Sequence, residues 1–331
     1  MKLGVPDYYK KFKCIAGRCS DNCCIGWEIC IDEKTMEFYN AVTGEFGKKL
    51  RDNIKNGSFM LCGERCPFLN EENLCDIIIN LGENRLCGIC TEHPRYYGWY
   101  GDVKEGGIGL CCEEAARIIL EYGNSGSFFE EDIPCEETED VDEEIYEFLF
   151  GARENIFRFL ERKDISFADK VSALFDYGEK IQDGLDFEDY DISPVEKNDF
   201  SAGDANVGAF VCAFEEFEAI DQSWNDALEK LKGKAPVVNE KYLTNIFIYF
   251  IWRYFMRAVY DGDVFSKISL GAISAAMIAL MAEGDDIDAY IKAAKLYSKE
   301  IEYSEENLSL MLESCYTESG FSAENLINLL S

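Results

Sequence analysis

The chain has 331 residues, of which 47% are hydrophobic and 14% aromatic, ample for one large or two modest buried cores. Its formal net charge of −32 repels phosphate backbones and so excludes a nucleic-acid partner; it suits a basic partner such as a lysine-bearing protein surface, or simply keeps the chain soluble. The acid is unevenly spread, with 15 Lys and Arg against 18 Asp and Glu in residues 1–120 but 17 against 46 in residues 121–331.

Residues 1–13 are polar and aromatic, without the basic start and apolar run of a secretory signal, so a cytoplasmic protein is expected. Thirteen of the fifteen cysteines lie at or before Cys135. In a reducing compartment such clustered thiols serve metal rather than disulfides, and an odd total also argues against a fully paired framework. Up to about residue 120 the chain is punctuated by Gly, Cys, Pro and Asn. Short helices are predicted over 32–39 and 76–81 and a longer one over 113–122, with loops between. So little apolar periodicity needs another source of order, and bound metal supplies one. Ten of the fifteen residues in 130–144 are acidic, which reads as a solvated linker. The expected organisation is a cysteine-rich metal (iron–sulfur) binding region over 1–125, an acidic linker over 126–144 and a helical domain over 145–331.

Beyond the linker the apolar period becomes 3.6, through Ile145, Phe148, Leu149, Ile156, Phe157 and Leu160. Ser166 or Asp164 is placed to cap a following helix through Phe175 and Ile181, and 183–203 is a polar break. Helices are then predicted over 210–231, 242–260, 264–281, 287–301, 305–312 and 323–330, with Asp263, Asp285, Ser304 and Ser322 as N-caps. No strand alternation shows in this half. The predicted fold class is therefore mainly α, a loop-rich cysteine/metal-binding N-terminal region plus an all-helical C-terminal bundle. The most hydrophobic stretch, 242–260, holds an uninterrupted apolar run of only seven residues, Ile246 to Trp252. A membrane span needs about 20, so no membrane is expected and a buried central helix is. Tyr249, Trp252, Arg253 and Tyr260 are candidates for a ligand pocket, against the plainer reading of core packing.

The cysteine spacing carries the chemistry. Cys14, Cys19 and the pair Cys23-Cys24 open it; Cys66 precedes Pro67-Phe68-Leu69, Cys75 follows, Cys90 precedes His93-Pro94-Arg95, and Cys111-Cys112 closes it. Thiolates select zinc, copper(I) or iron–sulfur clusters. The doubled short cysteine pairs of zinc fingers are not evident, and dispersed ligands suit an iron–sulfur cluster at least as well, with zinc as the alternative metal and thiol redox chemistry third. Cys30, Cys62, Cys135, Cys212 and Cys315 read as small buried hydrophobes.

Together Phe12-Lys13-Cys14, Cys19, Cys23-Cys24-Ile25-Gly26-Trp27, Ile31-Asp32, Cys66-Pro67-Phe68-Leu69, Asn73-Leu74-Cys75, Leu81-Gly82, Cys90 with Pro94-Arg95, and Cys112-Glu113-Glu114-Ala115-Ala116-Arg117 resemble the flagellin lysine-N-methylase (FliB) family. The first half of the pattern is shared with a wider class of cysteine-rich zinc- or iron-chelating domains, and a weaker likeness continues at Tyr242-Leu243-Thr244-Asn245. The resemblance implies a protein-lysine N-methyltransferase that uses S-adenosylmethionine on lysines of flagellin and carries a [4Fe-4S] cluster. Matched position by position, it makes Cys14, Cys19, Cys23, Cys24, Cys66, Cys75, Cys90 and Cys112 the candidate ligands. Eight is more than one cluster needs, so either four are structural or a second site exists. The chain departs from the family at Thr91-Glu92-His93, where Arg-Thr-Tyr is usual, and at Cys111-Cys112-Glu113, where Ser-Cys-Pro is usual, which makes Cys111 a competing ligand. His93, the sole histidine, reads as ring packing before it reads as a ligand. Arg95 suits a cofactor carboxylate or an ion pair with a neighbouring Glu.

Methylating a lysine requires the neutral amine, whose reference pKa is about 10.4, so the site must desolvate the amine or offer a base. Tyr96, Tyr97, Trp99 and Tyr100 are candidates for an aromatic cleft around a lysine stem, or for plain packing. Gly106-Gly107-Ile108-Gly109 lacks the strand-to-helix context of a nucleotide-binding turn. Catalytic and cofactor-binding residues are not assigned by the sequence. The competing function is a non-catalytic iron–sulfur or zinc module for protein interaction or redox.

Overall fold

Helices dominate the chain beyond residue 142, as the 3.6-residue apolar period requires, in a computed structural model that describes residues 1–20, 22–123, 128–135, 138, 140–198, 200–220 and 222–331. Caps set the helix starts. The Asp142 side chain takes the Glu144 and Ile145 N–H groups at the head of Glu143–Leu160, and Ser166 takes the Asp169 N–H at the head of Phe167–Asp186. Asp164 is instead engaged by Arg162. Asp286, one residue later than predicted, caps Ile287–Ile301, because Asp285 Oδ1 accepts from the Asn239 side-chain amide at 2.7 Å. Ser304 and Ser322 cap Glu305–Thr317 and Ala323–Leu329.

Two long predicted helices are broken. The 210–231 stretch forms Val207–Cys212 and Gln222–Leu231. Between them, the Glu218 N–H bonds Asn307 Oδ1 at 3.0 Å and the Ile220 N–H bonds Glu300 Oε2 at 2.7 Å, so side chains take amides that a continuous helix would use. The 242–260 stretch forms Glu240–Tyr254, a 3₁₀ turn over Phe255–Arg257 and the short helix Ala258–Asp261, which ends at Gly262 in the left-handed region with φ +66°. It packs on Phe265–Met281, in which every residue from Ser266 to Leu280 is buried. No helix of the described residues is long and apolar enough to cross a membrane.

The chain divides into two compact units: Met1–Phe12, Tyr97–Cys111 and Ala115–Ser331 form one, and Lys13–Tyr96 with Cys112–Glu114 form the other. This differs from the 1–125, 126–144 and 145–331 division, because a sheet invisible in the local pattern recruits the N-terminus. Its strand order is Arg95–Tyr100, Val103–Ile108, Lys2–Pro6, Phe128–Asp132. Lys2 pairs in parallel with Val103 and antiparallel with Asp132. Parallel neighbours need a long connection, and residues 13–96 lie within it. The reading of 126–144 as a linker is therefore corrected at 128–132, an edge strand whose acids meet bases: Lys2 Nζ lies 2.9 Å from Asp132 and Lys10 Nζ 3.0 Å from Glu131. Residues 124–127, 136, 137 and 139 of that stretch lie outside the described residues.

The cysteine-rich unit is built from short pieces. Asp32 caps Glu33–Ala41, Gly44–Asp52 follows, then the small hairpin Ile54–Lys55 and Ser58–Phe59, and the helices Asp76–Leu81 and Gly88–Glu92. Ile29, Tyr39, Leu50, Phe59, Phe68 and Ile77 form its core together with Cys66 and Cys87. The fold class is that of a mainly α protein whose C-terminal region is helical.

Candidate metal centre

In the cysteine-rich unit, turns and helix starts bring thiols together. Asn22 Oδ1 fixes the Cys24 N–H at 2.9 Å, and the Cys66 N–H donates to the Cys24 carbonyl at 2.8 Å, which joins the first cysteine run to the Cys66 turn. A bridge between Leu69 and Cys75 folds that turn back. Cys75 and Cys87 precede the helices Asp76–Leu81 and Gly88–Glu92, and Cys90 lies one turn along the latter.

The ionisation of these thiols is coupled. A hydrogen bond with Cys23, burial, and the charges of Cys23, Cys66 and Cys75 push the Cys24 thiol far up. Burial first, then Cys75 and Cys87, raise Cys66 to about 11, and burial with smaller contributions from Asp76 and Cys23 raises Cys75. Cys90 is pushed up by its bond to Cys87, by burial and by Cys87, Cys24 and Cys66, whereas that same bond holds Cys87 down to about 7. Each thiolate thus opposes its neighbours, and a bound cation reverses that opposition by supplying the missing positive charge. Soft sulfur donors in this number suit an iron–sulfur cluster or zinc. Among the described residues no three Cys, His, Asp or Glu side chains are placed to hold a single metal ion.

Of the residues matched in sequence, the structure places Cys23, Cys24, Cys66, Cys75 and Cys90 in this neighbourhood and adds Cys87. The signal for Cys87 was present: Cys87-Gly88-Ile89-Cys90 is a CxxC pair, the spacing that puts two sulfurs on one helix start. Cys14 is exposed, its sulfur accepting the Ala16 N–H at 3.4 Å. Cys19 Sγ lies 3.8 Å from Glu113 Oε2, which also accepts the Ser20 N–H at 2.9 Å and the Ser20 hydroxyl, so Glu113, the residue after Cys112, ties the 112–114 segment to 19–20. Cys111 belongs to the helical unit and bonds the Tyr303 hydroxyl at 2.8 Å. Of the cysteines read as buried hydrophobes only Cys315 is buried; Cys30, Cys62, Cys135 and Cys212 are exposed. Cys30, Cys62 and Cys135 lie in irregular segments and Cys212 ends the helix Val207–Cys212, which leaves these side chains at the surface.

His93 packs its ring against Trp27 at 5.4 Å between centroids, and Arg95 donates to the Thr91 carbonyl at 3.2 Å. The aromatic run is occupied from within: Lys104 Nζ sits 4.6 Å from the Tyr97 ring centroid and 4.9 Å from that of Trp99, while Tyr100 is buried and stacks on Tyr260. The glycine run continues the strand Val103–Ile108, where the Gly106 carbonyl accepts the Trp252 indole N–H at 3.0 Å. Within the cysteine-rich unit, Lys49, Arg65, Asn70, Asn73 and Asp76 line a polar cavity of about 480 Å³ that flanks Cys66 and Cys75 in the chain.

Three comparisons bear on identity. The model of the FliB lysine N-methylase C-terminal domain matches residues 209–329. The flagellar biosynthetic protein FliU of Salmonella muenchen is 32% identical over 128 residues, covering 35% of this chain and 75% of the relative. Lysine-N-methylases of Salmonella typhimurium and Salmonella choleraesuis are each 30% identical over 128 residues, again 35% of this chain but 31% of theirs. No solved structure matches. With three quarters of FliU covered at that identity and the C-terminal domain model matched besides, the chain belongs to the FliB lysine N-methylase family.

Proposed function

We propose that the protein is an S-adenosylmethionine-dependent lysine N-methyltransferase acting on flagellin, with a [4Fe-4S] cluster in its cysteine-rich unit. The observation that carries the reading is the family match, which includes relatives named lysine-N-methylase and a flagellar biosynthetic protein. The coupled thiols of Cys24, Cys66, Cys75, Cys87 and Cys90 support the cluster by donor chemistry, and zinc remains the alternative metal. The cavity lined by Lys49, Arg65, Asn70, Asn73 and Asp76 falls in the size range of small-molecule sites, with Lys49 and Asp76 paired to each other at 2.5 Å and Arg65 bonded to the Asn73 side chain at 3.0 Å. When bound, the sulfonium donor supplies an activated methyl group. The chain's task is to bind the lysine, strip its proton and exclude water.

Anaerobically purified, metal-replete protein incubated with S-adenosylmethionine and cognate flagellin should add methylene increments of mass at lysines. An unchanged flagellin mass overturns the activity. Iron and sulfide analysis tests the cluster separately, and calorimetry with S-adenosylmethionine separates the enzyme from a non-catalytic module, which would not bind it.

A further inference from the structure

The cavity of about 480 Å³ lies wholly within the cysteine-rich unit and opens to solvent, and its charged walls differ in how they are satisfied. Lys49 Nζ lies 2.5 Å from Asp76 Oδ2, and Asp76 Oδ1 accepts the Asn70 side-chain amide at 3.2 Å, so that pair is closed on itself. Arg65 is held differently. Its Nε donates to the Leu69 carbonyl at 3.3 Å, and its Nη2 donates to the Asn70 carbonyl at 2.5 Å and to Asn73 Oδ1 at 3.0 Å. All of these acceptors are neutral, and among the described residues no carboxylate lies within ion-pair distance of the guanidinium. The Nε and Nη2 donors are thus spent, while both N–H groups of Nη1 have no partner among the described residues. The backbone fixes this placement. The Cys62 N–H donates to the Arg65 carbonyl at 2.8 Å, and Asn70 Oδ1 accepts the Glu72 and Leu74 N–H groups, each at 3.0 Å, which closes the turn whose carbonyl holds Nη2. Glu71, an exposed residue, is the remaining charge of the wall.

We propose that this cavity is a binding site for a small monocarboxylate, whose oxygen accepts from Arg65 Nη1. A fixed cation without a counter-charge attracts an anion, and a charge-assisted hydrogen bond to a guanidinium already held in place costs little side-chain entropy. The charges of the wall select a single negative charge. Lys49 and Asp76 cancel, so Arg65 neutralises one charge on a ligand; a phosphate dianion brings a second, with Glu71 and Asp76 in the same wall to repel it. Pro67 and Leu69 give the ligand an apolar flank. Glu71 competes with the ligand for Arg65. S-adenosylmethionine carries one carboxylate, so the methyl donor is a ligand of this class; the inference rests on the methyltransferase reading for that identity alone.

The test uses the full chain in its metal-replete form and follows ligand signals by nuclear magnetic resonance. The probes are S-adenosylhomocysteine, which keeps the donor's carboxylate but has no methyl group to give, 5′-methylthioadenosine, which lacks the carboxylate, n-butanoate as a bare monocarboxylate, and inorganic phosphate. Arg65→Met should weaken S-adenosylhomocysteine and n-butanoate about tenfold and leave 5′-methylthioadenosine unchanged. That variant also removes the bonds from Arg65 to Leu69, Asn70 and Asn73, so Glu71→Gln is measured beside it. It takes a competing negative charge out of the wall and should tighten both carboxylates about threefold at low salt, a gain that misfolding does not produce. Phosphate should bind more weakly than n-butanoate. Equal carboxylate binding by wild type and both folded variants overturns the inference, as does phosphate binding tighter than n-butanoate, or no binding of either carboxylate. If n-butanoate binds with these shifts and S-adenosylhomocysteine does not bind, the carboxylate site stands and the donor assignment falls. If S-adenosylhomocysteine binds without them, the site is overturned and the methyltransferase reading stands.

Discussion

Removing Arg153 from the interior of the helical unit should cost more than any surface change. Arg153 on Glu143–Leu160 is fully buried and forms a two-pronged pair with Glu105 on the strand Val103–Ile108, at 2.7 Å and 2.5 Å, with 7% of the Glu105 side chain exposed. Its guanidinium lies 4.7 Å from the Trp252 ring centroid. Arg153→Met leaves the Glu105 carboxylate buried without its partner, which costs about 3–5 kcal/mol, a large share of the roughly 5–15 kcal/mol that holds a domain together. Arg153→Met combined with Glu105→Leu removes both charges, and the double variant should lie within about 1 kcal/mol of wild type or above it. Urea unfolding followed by far-ultraviolet circular dichroism gives the double-mutant cycle. A single variant costing under about 1 kcal/mol, the value of a solvent-exposed pair, or a double variant equal to the sum of the singles, would refute a buried pair.

Other consequences are open to the same methods. Asn307 ties three backbone groups, accepting the Glu218 N–H and donating to the Glu218 and Glu300 carbonyls, so Asn307→Leu should cost about 2–4 kcal/mol in urea unfolding; a loss under about 0.5 kcal/mol counts against the network. At Gly320 an added Cβ would stand 2.8 Å from Phe210 Cα and 2.6 Å from the Ala209 carbonyl carbon, so Gly320→Ala should destabilise by about 1–3 kcal/mol, seen as a lower Tm. The Asp32 carboxyl is held below its usual range by the Gly88 N–H and then the Thr35 N–H. Its contribution is therefore complete above the unfolded value of about 3.9 and fades as pH falls through the lower folded value. Asp32→Ala should cost about 1 kcal/mol at neutral pH and almost nothing near pH 2, and a gap that does not shrink on acidification disproves the assignment. Stripping metal with a chelator should open residues 13–96 to proteolysis while helical circular dichroism is largely kept; cleavage confined to other segments would contradict that.

Local signals were legible and long-range ones were not. Asp76–Leu81, Glu113–Tyr122 and Ile287–Ile301 run between the residues predicted, because an apolar period and polar helix starts act within a few residues. Lys2–Pro6 carries little strand pattern and becomes a strand only by pairing with residues about a hundred positions away. The break in 210–231 depends on Asn307 and Glu300, which no window around 218 contains. The thiol neighbourhood was half visible: the Cys23-Cys24, Cys66, Cys75 and Cys90 pattern identified it, but position-by-position matching passed over the CxxC pair that brings in Cys87. Arg65 carried no signal, since one base among 32 gains meaning only when Leu69, Asn70 and Asn73 hold it and leave Nη1 bare.

The cysteine-rich unit also corrects the idea that metal must supply all its order. Cys66 and Cys87 stand in the same core cluster as Phe59, Phe68 and Ile77, with Cys24, Cys75 and Cys90 packed against it. Protonated, these thiols are small hydrophobes and belong to that core. Burial and their neighbours push the thiol pKa of Cys24, Cys66, Cys75 and Cys90 up and so favour the protonated form, in which they pack with that core. Metal binding must displace those protons, and its affinity therefore rises with pH until the thiols are ionised. Of these five thiols Cys87 alone is lowered, to about 7, by its bond from Cys90. On the proposed cluster reading the same side chains would pack as core when protonated and serve as ligands when metal is bound. Chelation should accordingly loosen residues 13–96 into a partly ordered unit, with the apolar cluster around Tyr39 and Phe68 as the part that persists.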